Sequence, residues 1–531
     1  MRIGTDLPSP GAGERRAAAR GVAWGGIESA AAALVGLLLT PMVVRHAGLA
    51  GLGLWGAAWS LAHTAGLFDL GVGAAYGRFA ARALARRDLD DLNGVLAVGT
   101  GFHLALSVLL GLPALLLGPR LLEWAAPHSP RLPEARVVLT CTILTVLMRG
   151  AFSAYRGVVA GAQRLDLLGR LGALFAVVEG CGGAFALLRG YGLPGLAVNS
   201  LCLGAATSIA EGILAHRLCP GLRLRPFLAP GTQYRRVLIF GSQLQLTRAF
   251  EILGSHLPRL VLAAGPGLSA AGAYDLGARL AGCVPVLASL PLRVILPLAG
   301  HLEARGDRSR MQALLQRSTR YVGLLALPAV ALVLLDAEAI LLAWTGRVTP
   351  PAAALAARCL AAAAGMTLVA SPLRLILRGC GHAGIEAAST GCGTLLHVAL
   401  AFAFAADWGA AGVGFAALPG AATALLILAA GAGRRGAGIE PLVAARALMG
   451  TVAAAAAVVL AGLLLSQLPW AGTGSTPCST RIEALSLLAR RLPILGAAFL
   501  ATGALLGAIK AADLTLLRET ATGTIHGGAA R

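Results

Sequence analysis

Arg248 stands about halfway along an apolar run, with Glu251 three residues on, so a helix would carry both on one face. Arg149 and Arg293 stand in two other apolar runs, with no acidic residue three or four positions away. Arg156 and Arg374 occupy matching places in the two halves of the chain. A guanidinium keeps its charge at any working pH, and its fork fits the oxygens of a phosphate in pairs. The chemistry these residues suit is therefore the holding of an anion, with Arg248 and Glu251 read either as a cavity-facing cation and its counter-charge or as a structural pair. Asp275 and Arg279, four apart, fit a pair within one helix, and Arg279 is a second-rank anion ligand. Glu28, Glu179 and Glu211 also fall in apolar runs. Desolvated carboxylates of this kind either take a coupling proton or sodium ion, or pair with the arginines. His63, His103, His256 and His397 read first as hydrogen-bond partners between helices, ahead of proton relays.

The elements that must position these groups follow from composition. Of 531 residues 57% are hydrophobic and 13% charged, against roughly 25% charged in a soluble domain. No single water-soluble core accommodates that much apolar surface, so the solvent of this chain is lipid. Apolar runs long enough to cross hydrocarbon number about fourteen, from 22–44 and 51–74, through 269–298, to 447–468 and 492–511. They lack the strict alternation of barrel strands, which predicts an all-α integral membrane protein of about fourteen transmembrane helices.

The net charge of +20 would in a soluble protein suggest nucleic acid. Here the arginines cluster in alternate loops, such as Arg78 to Arg87, Arg217 to Arg236 and Arg305 to Arg320, as the positive-inside rule requires. That pattern predicts both termini on the cytoplasmic side and no nucleic-acid partner. The polar start, with Arg15, Arg16 and Arg20, leads into an apolar run without a small-residue cleavage site, the pattern of an uncleaved first span. The nine cysteines show no C-x-x-C spacing, and neither a disulfide framework nor a metal site is expected.

An internal repeat is visible at a nearly constant offset. Gly53-Leu54-Trp55 falls on Gly272-Ala273-Tyr274 and Ala85-Arg86-Arg87-Asp88 on Ala304-Arg305-Gly306-Asp307, both at 219. Arg156 and Gly161 fall on Arg374 and Gly379 at 218, and Gly192 to Gly195 on Gly409 to Gly412 at 217. Duplicated halves of six spans give parallel repeats about an axis along the membrane normal. The expected organisation is a cytoplasmic tail (1–20), an N-lobe (21–217), a basic linker (218–235), a C-lobe (236–435), an appended pair of spans (436–512) and a second cytoplasmic tail (513–531).

Within this frame the N-terminal pattern of Gly53-Leu54-Trp55, Phe68-Asp69-Leu70-Gly71-Val72-Gly73, Arg78 and the turn Arg87-Asp88 resembles the polysaccharide and oligosaccharide flippases of the multidrug/oligosaccharidyl-lipid/polysaccharide exporter superfamily. The resemblance covers about 14–435 in outline and identifies the superfamily better than the substrate. It implies a two-lobed flippase of the bacterial inner membrane that moves undecaprenyl-diphosphate-linked or similar lipid-linked sugars by alternating access. Polysaccharide polymerase or assembly proteins are then conceivable partners, alongside membrane lipid. It also implies a packing and gating role for Asp69 and Gly71, and a diphosphate as the anion for the arginines.

Other classes fit less well. The match of Gly51 to Gly56 to a dinucleotide fingerprint opens a membrane span with no preceding strand. The chain's one lysine, Lys510, lies in no P-loop, so no cofactor or nucleotide is expected. A membrane glycosyltransferase or polymerase would need acidic residues or a domain on the outer face, where the loops are short. A cation- or proton-coupled multidrug-type extruder of the same fold remains the alternative, though it favours an acidic cavity.

Overall fold

The computed structural model describes residues 12–64, 72–125, 131–288, 292, 295–434, 449, 452–453, 455–457, 459–460 and 480–505. Asp69, Gly71 and Arg293 lie outside the described residues, as does most of the span expected at 447–468. Nine stretches among the described residues are long and apolar enough to cross a membrane. The fold is that of an all-α membrane protein.

The helices are α1 (Ala12–Thr64), α2 (Val72–Ala85), α3 (Leu89–Leu106), α4 (Leu112–Ala125), α5 (Leu132–Gly161), α6 (Leu165–Leu188), α7 (Gly192–Leu218) and α8 (Gly231–Ala264), then α9 (Leu268–Ala288), α10 (Ile295–Ala304), α11 (Arg308–Thr345), α12 (Pro351–Gly379), α13 (Ala383–Arg434) and α14 (Arg481–Leu505). A five-residue π-helical turn, Ser107–Gly111, joins α3 to α4. The long helices hold more than one crossing. Residues 23–64 of α1 would extend about 60 Å, twice the hydrocarbon thickness, and Gly48, with φ of 71°, breaks them into two lengths. Gly409 does the same in α13, at φ of 52°. The expected run 269–298 is instead α9 followed by α10, with residues 289–291 and 293–294 between them outside the described set.

The chain forms two compact units, residues 1–272 and 273–531. In the first, α1 packs on α6 and α8, and α5 on α2 and α7. Its core gathers Tyr76, Leu92, Leu96, Val158 and Val237 from α2, α3, α5 and α8. The segment between α7 and α8 is tied to α3, where Asn93 accepts from the Arg223 backbone N–H at 2.8 Å and donates to the Gly221 carbonyl at 3.3 Å. In the second unit α12 packs on α11 and α13, and Ile295, Leu315, Leu373, Ile376 and Leu428 form the core.

Backbone features recur from one unit to the other at the offsets read from the sequence. Helices end at Ala85 and Ala304 and restart at Leu89 and Arg308; they end at Gly161 and Gly379 and restart at Leu165 and Ala383. Left-handed residues recur as Arg87 and Gly306, Gln163 and Gly381, and Gly192 and Gly409. Asp88 and Asp307 cap the helices that follow, accepting from the backbone N–H groups of Asp91 at 2.9 Å and Arg310 at 3.1 Å. The Arg310 N–H holds the Asp307 carboxyl below its ordinary range. That contribution is complete at neutral pH and is lost as pH falls through the lowered value.

One packing contact also recurs. A Cβ on Gly161 would lie 2.7 Å from both Ala80 Cβ and Ala81 N, and one on Gly379 would lie 2.9 Å from Ala299 Cβ and 3.2 Å from Gly300 N. Without a hydrophobic force between helices in lipid, such close backbone approach supplies much of the cohesion. Gly161→Val and Gly379→Val are therefore each expected to destabilise by about 1–3 kcal/mol. Gly25→Ala, at a site with nothing within 4 Å, should leave stability near wild type. Thermal unfolding in detergent checks this, and equal melting temperatures for all three would exclude the proposed close packing.

Candidate functional site: a charged cavity in the first unit

A cavity of about 920 Å³ lies between the C-terminal half of α1, the α3–α4 segment, α5 and α8. Its walls are mainly apolar, supplied by residues such as Leu106, Leu110, Leu117, Ile143, Val146 and Leu147. Into this lining the helices bring His63 from α1, His103 from α3, Arg149 from α5, and Arg248, Glu251 and His256 from α8. The volume is that of a small-molecule site, with few polar groups on an apolar surface.

The histidines are held by their local structure. The π-turn Ser107–Gly111 lies at the cavity wall, contributing Ser107, Leu110 and Gly111, a position where such turns are often found. Gly111 accepts Leu147 of α5 so closely that a Cβ would meet its Cδ1 at 2.5 Å. His103 Nδ1 lies 3.0 Å from the Gly99 carbonyl and 3.2 Å from the Tyr76 hydroxyl, and Gly150 leaves room for the ring. His63 Nδ1 lies 2.9 Å from the Trp59 carbonyl, so this nitrogen carries the hydrogen it donates. The His63 and His256 rings stack at 5.4 Å and 24°, and His256 Nδ1 lies 3.3 Å from Ser60 Oγ.

The charges in the cavity are only loosely answered. Arg149, 47% exposed at its side chain, approaches Glu179 at 3.9 Å. Glu179 also accepts from Ser200 Oγ at 2.8 Å, so its carboxylate keeps a donor when Arg149 moves. Arg248 and Glu251 both line the cavity yet form no ion pair with each other, and among the described residues neither pairs elsewhere.

The remaining charges singled out from the sequence lie outside this lining. Arg156 of α5 donates to Glu211 of α7 at 2.7 Å and to Glu28 of α1 at 3.4 Å. Gly172 of α6 makes this clamp possible, because a Cβ there would meet Glu28 Oε1 at 2.3 Å. In the second unit Arg279 pairs with Asp275 at 2.8 Å within α9, and Arg374 sits five residues before the end of α12, as Arg156 does in α5. Two features of the structure have no local signal in the sequence. His63 meets His256 across nearly the length of the first unit, with 196 residues separating Ser60 from its partner His256. Asp336, at a break in α11, pairs at 2.5 Å with Arg491 of α14, 155 residues on.

No protein-family model and no curated protein matches the sequence. Solved structures match the fold. The lipid II flippase MurJ, in an inward closed conformation, superposes with a TM-score of 0.63 at 12% identity, covering 91% of this chain and 98% of that one. An inward-facing multidrug resistance MATE family transporter of the MOP superfamily gives 0.59 at 16% identity, covering 77% and 94%. A MOP superfamily transporter from Pyrococcus furiosus, whose binding pocket of reverse polarity suggests a different function for it, gives 0.51 at 16%, covering 79% and 96%. The chain thus shares its fold with these structures.

The clamp on Glu211, 9% exposed, generates a test. Arg156→Ala leaves that carboxylate unanswered and should cost about 3 kcal/mol, whereas Arg156→Met with Glu211→Met should recover most of the loss. Unfolding of the single and double variants in detergent measures both. A double variant as unstable as Arg156→Ala would show that the Glu211 charge is not the cause, Glu28 being left unanswered in both.

Proposed function

We propose that this chain is a transporter that flips an anionic, lipid-linked saccharide of the undecaprenyl-diphosphate type across a bacterial inner membrane by alternating access. In this reading it serves cell-surface polysaccharide assembly, with both termini in the cytoplasm and polymerase or assembly proteins as partners. The observation that carries the proposal is the presence of Arg149 and Arg248 in one apolar-walled cavity. Low-dielectric walls strengthen the attraction of each guanidinium for an entering phosphate. The long Arg149–Glu179 contact and the second donor to Glu179 make exchange of partners inexpensive.

Two further points support a flippase over an extruder. The flippase fold covers 91% of this chain and the MATE fold 77%, a difference about the length of the appended segment 436–512. The cavity also gathers two arginines against one carboxylate, Glu251, whereas a cation extruder calls for the opposite balance. In this scheme Arg149 and Arg248 hold the diphosphate, with Arg156, Arg279, Arg293 and Arg374 as secondary sites along the path. Energy comes from an ion gradient or the membrane potential, for the sequence carries no P-loop.

Flipping of a fluorescent undecaprenyl-diphosphate-linked sugar in proteoliposomes tests the proposal at equal amounts of folded protein. Arg149→Ala and Arg248→Ala are each expected to slow flipping about tenfold or more, the loss of a charge-assisted contact. Wild-type protein that moves no lipid-linked sugar, yet exchanges a small cation for protons or sodium, would overturn the flippase reading in favour of the extruder.

A further inference from the structure

The stacked histidines carry an inference that rests on, and deepens, the flippase reading. His63 and His256 reach the cavity from α1 and α8, and their rings lie 5.4 Å apart and nearly parallel. The Nδ1 atom of each has a partner, the Trp59 carbonyl for His63 and Ser60 Oγ for His256. On His63 this leaves the Nε2 lone pair as the site that takes a proton. The charged groups around the pair are Arg149 from α5, itself 3.9 Å from Glu179 of α6, and Arg248 and Glu251 from α8, with the His103 ring from α3 on the same lining and Arg259 of α8 just outside it. Arg259 donates to the Ser255 carbonyl one turn back, on the helix that bears His256. The lining itself carries two guanidinium groups against one carboxylate, which makes the empty cavity an unfavourable place for another positive charge. A bound diphosphate reverses that balance.

We propose that His63 and His256 form a proton-linked part of the anion site, taking up a proton from water when a diphosphate binds and presenting the new N–H to a phosphate oxygen. One N–H bond forms on a ring nitrogen, no bond in the ligand breaks, and the ring's added charge offsets one charge of the diphosphate. Stacking limits the uptake, because two imidazolium rings at this separation repel each other, so the pair takes up one proton. Affinity for the anion then falls about tenfold per pH unit where the free protein has lost that proton and the complex retains it.

Isothermal titration of the full chain in detergent with geranyl diphosphate, in two buffers of different ionisation enthalpy, measures the linked proton. The comparison is wild type against His63→Phe/His256→Phe, which keeps two aromatic rings but removes the proton acceptors. The probe's own titration is common to both proteins and cancels. The expected result is about one more proton taken up per bound diphosphate by wild type than by the variant, with affinity falling more steeply in wild type than in the variant as pH rises. Equal proton uptake by the two proteins overturns the proposal while leaving the flippase reading intact. Failure of wild type to bind any isoprenoid diphosphate overturns both. Should the double variant fail to fold, wild type decides alone: proton uptake of zero from about pH 5 to 9, after subtraction of the uptake by geranyl diphosphate itself, overturns the proposal.

Discussion

A guanidinium among apolar helices costs about 2.5–3.5 kcal/mol on insertion scales unless something answers it. The placement of charge in this protein follows from that cost. Arg156 is clamped between Glu211 and Glu28, Arg279 is met by Asp275 on its own helix, and Arg491 closes on Asp336 with both side chains nearly buried. Each of these pairs uses its charge to fix helix against helix or turn against turn. Arg149 and Arg248 differ, because the first holds its carboxylate at arm's length and the second forms no ion pair among the described residues. In the proposed function, charges without a tight internal partner are the ones that meet the ligand.

Helix packing supplies the other half of the architecture. Apolar side chains gain little by leaving lipid for a neighbouring helix, so contact depends on how closely backbones approach. Gly161 against Ala80 and Ala81, and Gly379 against Ala299 and Gly300, meet that need with a glycine set on an alanine in each unit. The helix ends, caps and left-handed residues around them recur at matching offsets as well. A duplicated chain retains these positions because each is a steric requirement, whereas the lipid-facing residues between them need only be apolar.

That distinction decides what could be read from the amino-acid order. Composition and run length indicate an all-α membrane protein because hydrocarbon thickness sets them directly, and the repeat is visible because its conserved features are glycines and capping aspartates. Arg248 and Glu251 are recognisable as cavity candidates because they are polar in an apolar run, and Asp275 with Arg279 as a pair because four residues make one turn. Nothing local relates Arg156 to Glu211, 55 residues away, or Asp336 to Arg491, 155 away. The stacking of His63 on His256 is equally silent in sequence. Either histidine alone looks like a helix–helix hydrogen-bond partner, and His256 is one, to Ser60 of α1, whereas His63 bonds the Trp59 carbonyl of its own helix. Their shared place on the cavity wall arises only when α1 and α8 are packed together.

In the proposed function the cavity meets two opposed demands. Apolar walls strengthen the pull of each arginine on an entering anion, but the same walls raise the cost of leaving those arginines unanswered beforehand. Glu179 resolves this for Arg149 by standing near enough to attract it and far enough, at 3.9 Å, to release it, while Ser200 keeps the carboxylate satisfied in either case. Glu251 places an opposite charge on the same wall as Arg248 without binding it. A tight ion pair at either position would stabilise the empty protein and weaken the site by the same amount. The loose arrangement therefore favours exchange of partners, which the proposed flipping cycle calls for twice, once on binding the anion and once on releasing it.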